Sequence, residues 1–379
     1  MLLNALSYGV IIPLLYPYAA RFGIHATGLS LLFASFSLAQ FIATPILGRL
    51  SDRYGRKPVL VVSLFGSAVS LALFGAAQSA TMLFIARIID GFTGGNNSVA
   101  QAVIADSTSG KERAQALGML GASFGFGFLI GPAIGGFLGS YGLSTPFWFA
   151  AALASVATLA TALFLPETHT VRSSKKQPLF DWHKLLTATT TPLVGNLFIL
   201  SLISSIAHGM FVIGFQSGTV DILHLSSFTI GMLFAVFGLV TVLMQAVGVR
   251  LLLAAVKNKQ LILQVSLVLS SLFVGMLGFG MTFNTLLVAC ILYSVSFAPA
   301  TVVATAILSE RTLAEDQGGV LGINQSYAAI GQIIGPLIAG VLVSRSIGDV
   351  FFGVAVFFMI GLFFAIRMAN EHSHAKADI

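Results

Sequence analysis

The sequence consists of apolar runs, each long enough to cross a lipid bilayer, joined by short polar connections. A spanning helix needs roughly 20 predominantly apolar residues. A mean hydropathy of +0.95 and 32 Phe in 379 positions are more than the core of a soluble domain can bury. We therefore predict an all-α membrane protein with twelve transmembrane helices, at residues 1–20, 29–50, 58–78, 81–105, 115–139, 146–165, 192–215, 228–250, 260–281, 285–308, 318–344 and 348–367.

The distribution of cations predicts the orientation of these spans. With both termini in the cytoplasm, 16 of the 19 Lys and Arg residues lie on the cytoplasmic side, four of them between spans six and seven at Arg172, Lys175, Lys176 and Lys184. This positive-inside bias explains a pI of 9.6 without nucleic acid as a partner. The single cysteine, Cys290, lies in an apolar run, which argues against disulfides and thiolate metal sites. The run that opens at Met1 is interpreted as a span beginning at or just after its natural edge.

Two of the runs repeat each other. LGMLGASFGFGFLIGPAIGG from Leu117 to Gly136 corresponds to LGINQSYAAIGQIIGPLIAG from Leu321 to Gly340, at a constant offset of 204 residues. This predicts two six-helix halves related by a pseudo-two-fold axis along the membrane normal, with a substrate site at mid-membrane between them. The expected domains are an N-terminal half at 1–166, a cytoplasmic linker at 167–191, a C-terminal half at 192–367 and a cytoplasmic tail at 368–379.

The loop GRLSDRYGRKPVL, from Gly48 to Leu60, concentrates an acid and four cations in a chain in which only 8% of residues are charged. Its counterpart near Gly248 lacks the acid. A carboxylate is stabilised by about 0.3–1 kcal/mol near a helix N-terminus, which suggests that Asp52 latches the halves against the start of span eleven. The alternative is a solvated cluster that serves topology alone. The predicted latch comprises Gly48, Asp52, Arg53, Gly55, Arg56, Lys57 and Asp106, with Arg56 joining the two acids.

The same loop matches the pattern G-x-L-x-D-x-x-G-R-K of major facilitator superfamily transporters. Segments Ala86–Asn96, Ile104–Leu138 and Leu165–His169 resemble the tetracycline/proton antiporter branch of the drug–proton antiporters with twelve spans. The fifth span also carries the antiporter pattern G-x-x-x-G-P-x-x-G-G, on Gly127, Gly131, Pro132, Gly135 and Gly136.

This resemblance implies proton-coupled efflux of small amphiphilic or drug-like compounds by alternating access. The protein is expected to be a monomer in a bacterial inner membrane, with substrate, protons and lipid as partners. No enzyme motif and no cofactor site is found in the sequence. The alternatives are a proton-coupled importer of a small metabolite and a membrane sensor or scaffold that does not transport.

The exporters that the chain resembles carry an acid in the first span, where this chain has no Asp or Glu and its polar groups include Asn4, Tyr8 and Tyr16. The acid that remains inside a span is Asp90, three residues after Arg87, which resembles the family's fourth-span arginine associated with proton coupling. Ionisable groups inside a membrane are functional candidates. The pair either exchanges a proton or is a permanent ion pair. His208 in span seven is the next candidate carrier, since imidazole titrates near neutral pH.

The remaining polar side chains inside the spans are candidates for a mostly apolar substrate pocket. Asn96, Asn97 and Gln101 are predicted to form one stripe of span four, and Phe124 and Tyr327 to supply apolar walls. Interhelical hydrogen bonding is the alternative role for each polar group. The other candidates are Asn196, Gln245, Asn324, Gln325 and Gln332.

Overall fold

The computed structural model describes residues 1–168, 186–191, 194–312 and 317–377, so the predicted linker cations at 172–184 lie outside the described residues. Its α-helices, numbered here in chain order, are α1 Leu2–Ile11, α2 Leu15–Ala20, α3 Ala26–Tyr54, α4 Arg56–Gly75, α5 Ala80–Thr93, α6 Asn96–Ser107, α7 Gly110–Gly139, α8 Thr145–Phe164, α9 Gly195–Ser217, α10 Ser227–Leu243, α11 Val249–Ala255, α12 Lys259–Gly275, α13 Phe283–Glu310, α14 Gln317–Val343 and α15 Ile347–Ala377.

Short segments of other helix types continue several of these helices. Ile12–Leu14 is a 3-10 turn that contains Pro13 and joins α1 to α2 within the first span. Gly218–Ile222 extends α9 as a π-helix, and a second π-helix, Met244–Gly248, joins α10 to α11. Together, eleven helical segments in the described part of the chain are long and apolar enough to cross a membrane, and the predicted all-α membrane fold is confirmed.

The predicted fourth span, 81–105, accounts for the difference from twelve, because two helices form it instead of one continuous helix. The chain turns at Gly94 and Gly95, so α5 has 14 residues and α6 has 12, each too short to span alone. Each glycine lowers helix stability by about 1 kcal/mol relative to alanine. Side chains from two other spans donate hydrogen bonds to the backbone carbonyls at the break. Ser63 Oγ donates to Thr93 O, and Gln40 Nε2 donates to Gly94 O at 3.0 Å. Broken backbone is tolerated at membrane depth when it is satisfied in this way.

The described residues form two compact units. The first comprises Met1–Phe180 together with Leu225–Gly238. Its buried aromatic core joins the first, third and sixth spans, because Tyr18 Oη donates to the carbonyl of Phe74 at 2.6 Å and the rings of Tyr18 and Phe147 lie 4.5 Å apart. Phe74 stacks on Phe147 at 5.3 Å.

The second unit comprises Asp181–His224 and Leu239–Ile379. The ring of Tyr293 on α13 is fully buried at its centre. It packs on Phe211 of α9 at 4.4 Å and on Phe297 at 5.2 Å. Phe358 of α15 completes the cluster, 6.0 Å from Tyr293.

Large apolar side chains on the outer faces of the helices are exposed. Val62 is 65% exposed, Leu163 73% and Phe279 88%. A soluble monomer rarely exposes contiguous apolar surface on this scale. On spans of membrane-crossing length, such side chains are solvated by lipid.

Candidate functional site

Arg56 is the first residue of α4 and is only 8% exposed. Its Nη1 lies 2.5 Å from Asp52 Oδ1 at the end of α3, and its Nε lies 2.9 Å from Asp106 Oδ2 near the end of α6. The guanidinium also donates to Ser51 Oγ at 2.7 Å. The sequence predicted that Arg56 joins the two carboxylates, and these contacts are present. The role of the cluster as a latch stays a prediction.

Glu167, which was not among the predicted latch residues, caps the N-terminus of α4. Its Oε1 accepts the N–H of Arg56 at 2.9 Å and its Oε2 accepts the N–H of Lys57 at 3.2 Å. Two of the donors that a helix N-terminus leaves unsatisfied are thereby paired with a charge that the helix dipole favours. Gly55 has φ +107°, and a Cβ at this position would overlap the Glu167 carboxylate. The signal in the sequence was the acid of L-P-E-T-H, which directly follows span six.

Gly48 joins this network through its carbonyl, which accepts from Ser51 Oγ at 2.6 Å, whereas the side chain of Arg53 faces Tyr54. The guanidinium of exposed Arg53 lies 5.2 Å from the ring centre of Tyr54. Gly48 has open space where a Cβ would be, so packing within the described residues does not require a glycine there. The side chain of Asp52 is 46% exposed, which leaves its carboxylate accessible.

Arg87 and Asp90 on α5 form an ion pair inside the first unit. Arg87 Nη1 lies 3.3 Å from Asp90 Oδ2, and the exposed fractions of the two side chains are 4% and 0%. Tyr8 Oη on α1 donates to Asp90 Oδ1 at 3.1 Å. The donors to the carboxylate thus include a charged group of its own helix and a neutral hydroxyl of the first span.

Three phenylalanine rings surround the guanidinium of Arg87. Its Cζ lies 4.9 Å from the ring centre of Phe36, 5.5 Å from Phe33 and 5.6 Å from Phe74. Its Nε has no hydrogen-bond partner among the described residues. Cation–π contacts of this kind contribute about 2 kcal/mol or more when they are desolvated. The cage therefore gives the cation favourable contacts in addition to the Asp90 carboxylate.

The antiporter-pattern glycines of α7 bring helices into backbone contact. A Cβ at Gly127 would lie 2.5 Å from the carbonyl carbon of Ala5, and one at Gly131 would lie 2.7 Å from the Cα of Gly9. Gly135 approaches the carbonyl of Val10 in the same way. Gly136, on another face, meets Gly231 of α10. Small residues permit this close packing in membranes, and their role in antiport stays a prediction.

These contacts give a test of the packing role. Gly135→Ala should destabilise the protein by about 1–3 kcal/mol, the usual cost of overpacking, because the new methyl overlaps the Val10 carbonyl. Gly121→Ala on the same helix is the matched control, since nothing lies within 4 Å of its added Cβ. Melting of both purified variants in one detergent measures the difference. Equal melting temperatures would contradict the assigned contact.

The predicted polar stripe on span four is wrong for Asn96. Asn97 and Gln101 are exposed and lie four residues apart on one face, but Asn96 is 2% exposed. Adjacent residues of a helix point about 100° apart, so Asn96 turns into the unit while Asn97 turns out of it. Phe124 on α7 is partly buried.

In the second unit, several candidates make interhelical contacts. His208 Nδ1 lies 3.2 Å from Tyr293 Oη, and its ring stacks on Phe297 at 5.1 Å. Asn324 Oδ1 accepts from Ser201 Oγ at 2.6 Å, and Tyr327 stacks on Phe198 at 5.7 Å. These contacts fit the alternative role of helix packing. Asn196 is partly buried, whereas the exposed candidates are Gln245, Gln325 and Gln332.

Comparison with known proteins decides the family. The sequence model of the Major Facilitator Superfamily matches residues 1–217 and 197–378. The chain belongs to this superfamily. It is 34% identical over 255 residues to the tetracycline resistance protein, class C, of Escherichia coli, across 64% of this chain and 63% of that protein. The match thus spans less than two thirds of that relative. The class H protein of Pasteurella multocida is 30% identical over 405 residues, across 99% of this chain and 94% of that protein.

A solved structure supports the fold. The crystal structure of the human organic anion transporter MFSD10 (TETRAN) superposes with a TM-score of 0.72 at 23% sequence identity, covering 96% of each chain. At this identity, the likeness establishes the arrangement of helices alone. The chain is therefore an integral membrane protein with the superfamily's fold.

Proposed function

We propose that this chain is a proton-coupled exporter of small amphiphilic or drug-like compounds, tetracycline among them. We further propose that it is a monomeric transporter rather than an enzyme, resident in a bacterial plasma membrane with both termini in the cytoplasm. The similarity to tetracycline resistance proteins supports the substrate class. The positive-inside bias supports the orientation.

The observation that carries the proposal is the buried group formed by Arg87, Asp90 and Tyr8. Two opposite charges buried away from solvent destabilise a protein unless they stay paired and hydrogen-bonded. When a proton binds Asp90, the carboxyl becomes neutral and the pull on Arg87 weakens, while the phenylalanine cage keeps the guanidinium in place. Loss of the proton restores the pair. The group thus has two arrangements that differ by one proton, which is what coupling to a proton gradient requires.

The contacts around Arg56 suggest how that change reaches the cytoplasmic end of the unit. Asp106 stands near the end of α6, which follows α5 after the break, and it shares Arg56 with Asp52. A shift of α5 and α6 would move one acceptor of Arg56 relative to the other. We infer that the loop acts as a conformational latch, with Asp52 engaging the N-terminus of span eleven when the cytoplasmic side is closed.

Flux measurements test the proposed function. Purified protein in liposomes with an acidic lumen should accumulate tetracycline in the lumen as protons leave, and a protonophore should abolish the accumulation. Liposomes without protein control for passive partition of the drug. Movement of substrate in the same direction as protons would instead favour an importer. Absence of proton-dependent flux for a panel of hydrophobic compounds would favour the scaffold alternative.

A further inference from the structure

The break in span four gives α6 an N-terminus inside the membrane. Asn96 begins the helix and Ser107 ends it. At 1.5 Å per residue its 12 residues measure about 18 Å, against a hydrocarbon core of about 30 Å. The N-terminus of α6 therefore lies near the middle of the bilayer, where a helix end has no water to satisfy it.

The backbone carbonyls and the backbone N–H groups at this break differ in their side-chain partners. Its carbonyls have side-chain donors: Ser63 Oγ for Thr93 O, Gln40 Nε2 for Gly94 O, and Ser98 Oγ for Gly95 O at 2.8 Å. The N-cap position, Gly95, supplies no side-chain hydrogen bond to the first turn of α6. The amide N–H groups of a helix's first turn have no partner within their own helix. The carbonyl acceptors at the break are thus hydrogen-bonded by side chains, whereas the N–H donors of the first turn of α6 have no cap from the side of Gly95.

A buried side-chain donor lies at the same place. Asn96 is 2% exposed, and its Nδ2 has no hydrogen-bond partner among the described residues. The Cα–Cβ bonds of a helix tilt towards its N-terminus, so the side chain at the first position leans towards the break. A buried amide without a hydrogen-bond partner is destabilising. Such a group calls for a ligand that accepts a hydrogen bond.

The local charge favours an anion as that ligand. A helix N-terminus carries about half a positive charge and binds anionic groups through its backbone amides. Asp90, on the helix before the break, is already paired with Arg87, so the two side chains together add little net charge. Asn97, in the same first turn, is exposed.

We propose that the first turn of α6, with the Asn96 side-chain amide, binds the anionic group of the transported compound. The group is a carboxylate or an enolate, and the rest of the ligand is an apolar or aromatic body. This inference rests on the proposed function in one respect, namely that the ligand is the cargo. It assigns to the break in span four a role in recognising charge.

Binding of a matched pair of probes to the purified protein tests the site. The probes are 1-naphthoate, which is an anion at neutral pH, and 1-naphthamide, which has a similar shape and no charge. Asn96→Asp should weaken naphthoate binding about tenfold or more, because it replaces a charge-assisted hydrogen bond by repulsion. Naphthamide binding should change less than about twofold, well below that loss. Asn96→Ala removes the donor without adding charge and should have an intermediate effect.

Asn258→Asp is the matched control. Asn258 is the N-cap of α12 in the second unit, and it accepts the N–H of Leu261 through Oδ1. The variant makes the same chemical change at a helix N-terminus and should leave both probes unaffected. An acid in the first turn favours a helix, so Asn96→Asp should fold, and its melting temperature checks this.

Three outcomes would overturn the site: equal weakening of the two probes in Asn96→Asp, no weakening of naphthoate, or displacement of naphthoate by chloride at the same concentration. The last would identify a site for small inorganic anions. The binding measurement needs no gradient, whereas the proposed function is tested by flux. Absent proton-coupled flux with intact naphthoate selectivity would therefore contradict the transport proposal alone, and the reverse result would contradict the anion site alone.

Discussion

Asp90→Asn should abolish the accumulation of tetracycline driven by a pH gradient, while the purified variant still binds the drug. The substitution keeps the size of the side chain and an oxygen that can accept from Tyr8 Oη, but the amide cannot take up a proton at any relevant pH. Drug flux and luminal pH, recorded together in liposomes, measure both sides of the exchange. A variant that still concentrates tetracycline against its gradient would place the proton carrier elsewhere, with His208 the next residue to replace.

A structural ion pair would also fail when one partner is lost, because the remaining buried charge is destabilising by about 3–5 kcal/mol. The double variant Arg87→Gln/Asp90→Asn separates the two explanations. It leaves no unpaired charge and should recover stability. If Asp90 carries the proton, gradient-driven flux stays absent in this stable double variant. Recovery of flux together with stability would show that the pair is only structural.

The fold could be predicted from the sequence because a membrane-spanning helix requires a long run of apolar residues. Long apolar runs, cations on one side and a repeat at a fixed offset each follow from the bilayer as a solvent. The interruption of span four was missed for the same reason. Residues 81–105 are apolar enough to cross the membrane, and hydropathy does not register that Ser63 and Gln40, from two other spans, accommodate the backbone of the break.

Contacts in the candidate site could be predicted where the residues lie close together along the chain or at matching ends of predicted spans. Arg56 reaches Asp52 one turn earlier along the chain, and its contact with Asp106 followed from expecting both at the cytoplasmic ends of their spans. Glu167 was missed because it lies 111 residues from Arg56 and is read more readily as the start of a linker. The partner of Asp90 on the first span, Tyr8, was named as a polar group there, but its contact depends on how α1 packs against α5, which spacing does not give.

Asp52→Asn should reduce transport severely and leave insertion and folding intact. In the structure the loss removes one of the two carboxylates on Arg56, which keeps Asp106 and Ser51 as partners. A partly exposed pair of this kind contributes about 0–1 kcal/mol to stability, too little to unfold the protein. Asp106→Asn is the matched control, because it also removes one carboxylate from Arg56 but keeps the acid of the loop. Similar flux defects in the two variants would mean that only the placement of Arg56 matters.

The latch makes a further claim about populations. If Asp52 engages the N-terminus of span eleven only when the cytoplasmic side is closed, an interaction of about 1–2 kcal/mol changes the ratio of the two states about five- to thirtyfold. Asp52→Asn should therefore favour the inward-open state. Spin labels at Ser107 and Thr312 measure the cytoplasmic opening, with buried Cys290 replaced by alanine so that only the introduced cysteines react. Longer distances in Asp52→Asn, but not in Asp106→Asn, would support the latch. The latch acts by shifting the ratio of the two states, and such a shift stalls a cycle that must visit both. Superimposable distance distributions for wild type and Asp52→Asn would therefore exclude the latch, even if transport fails.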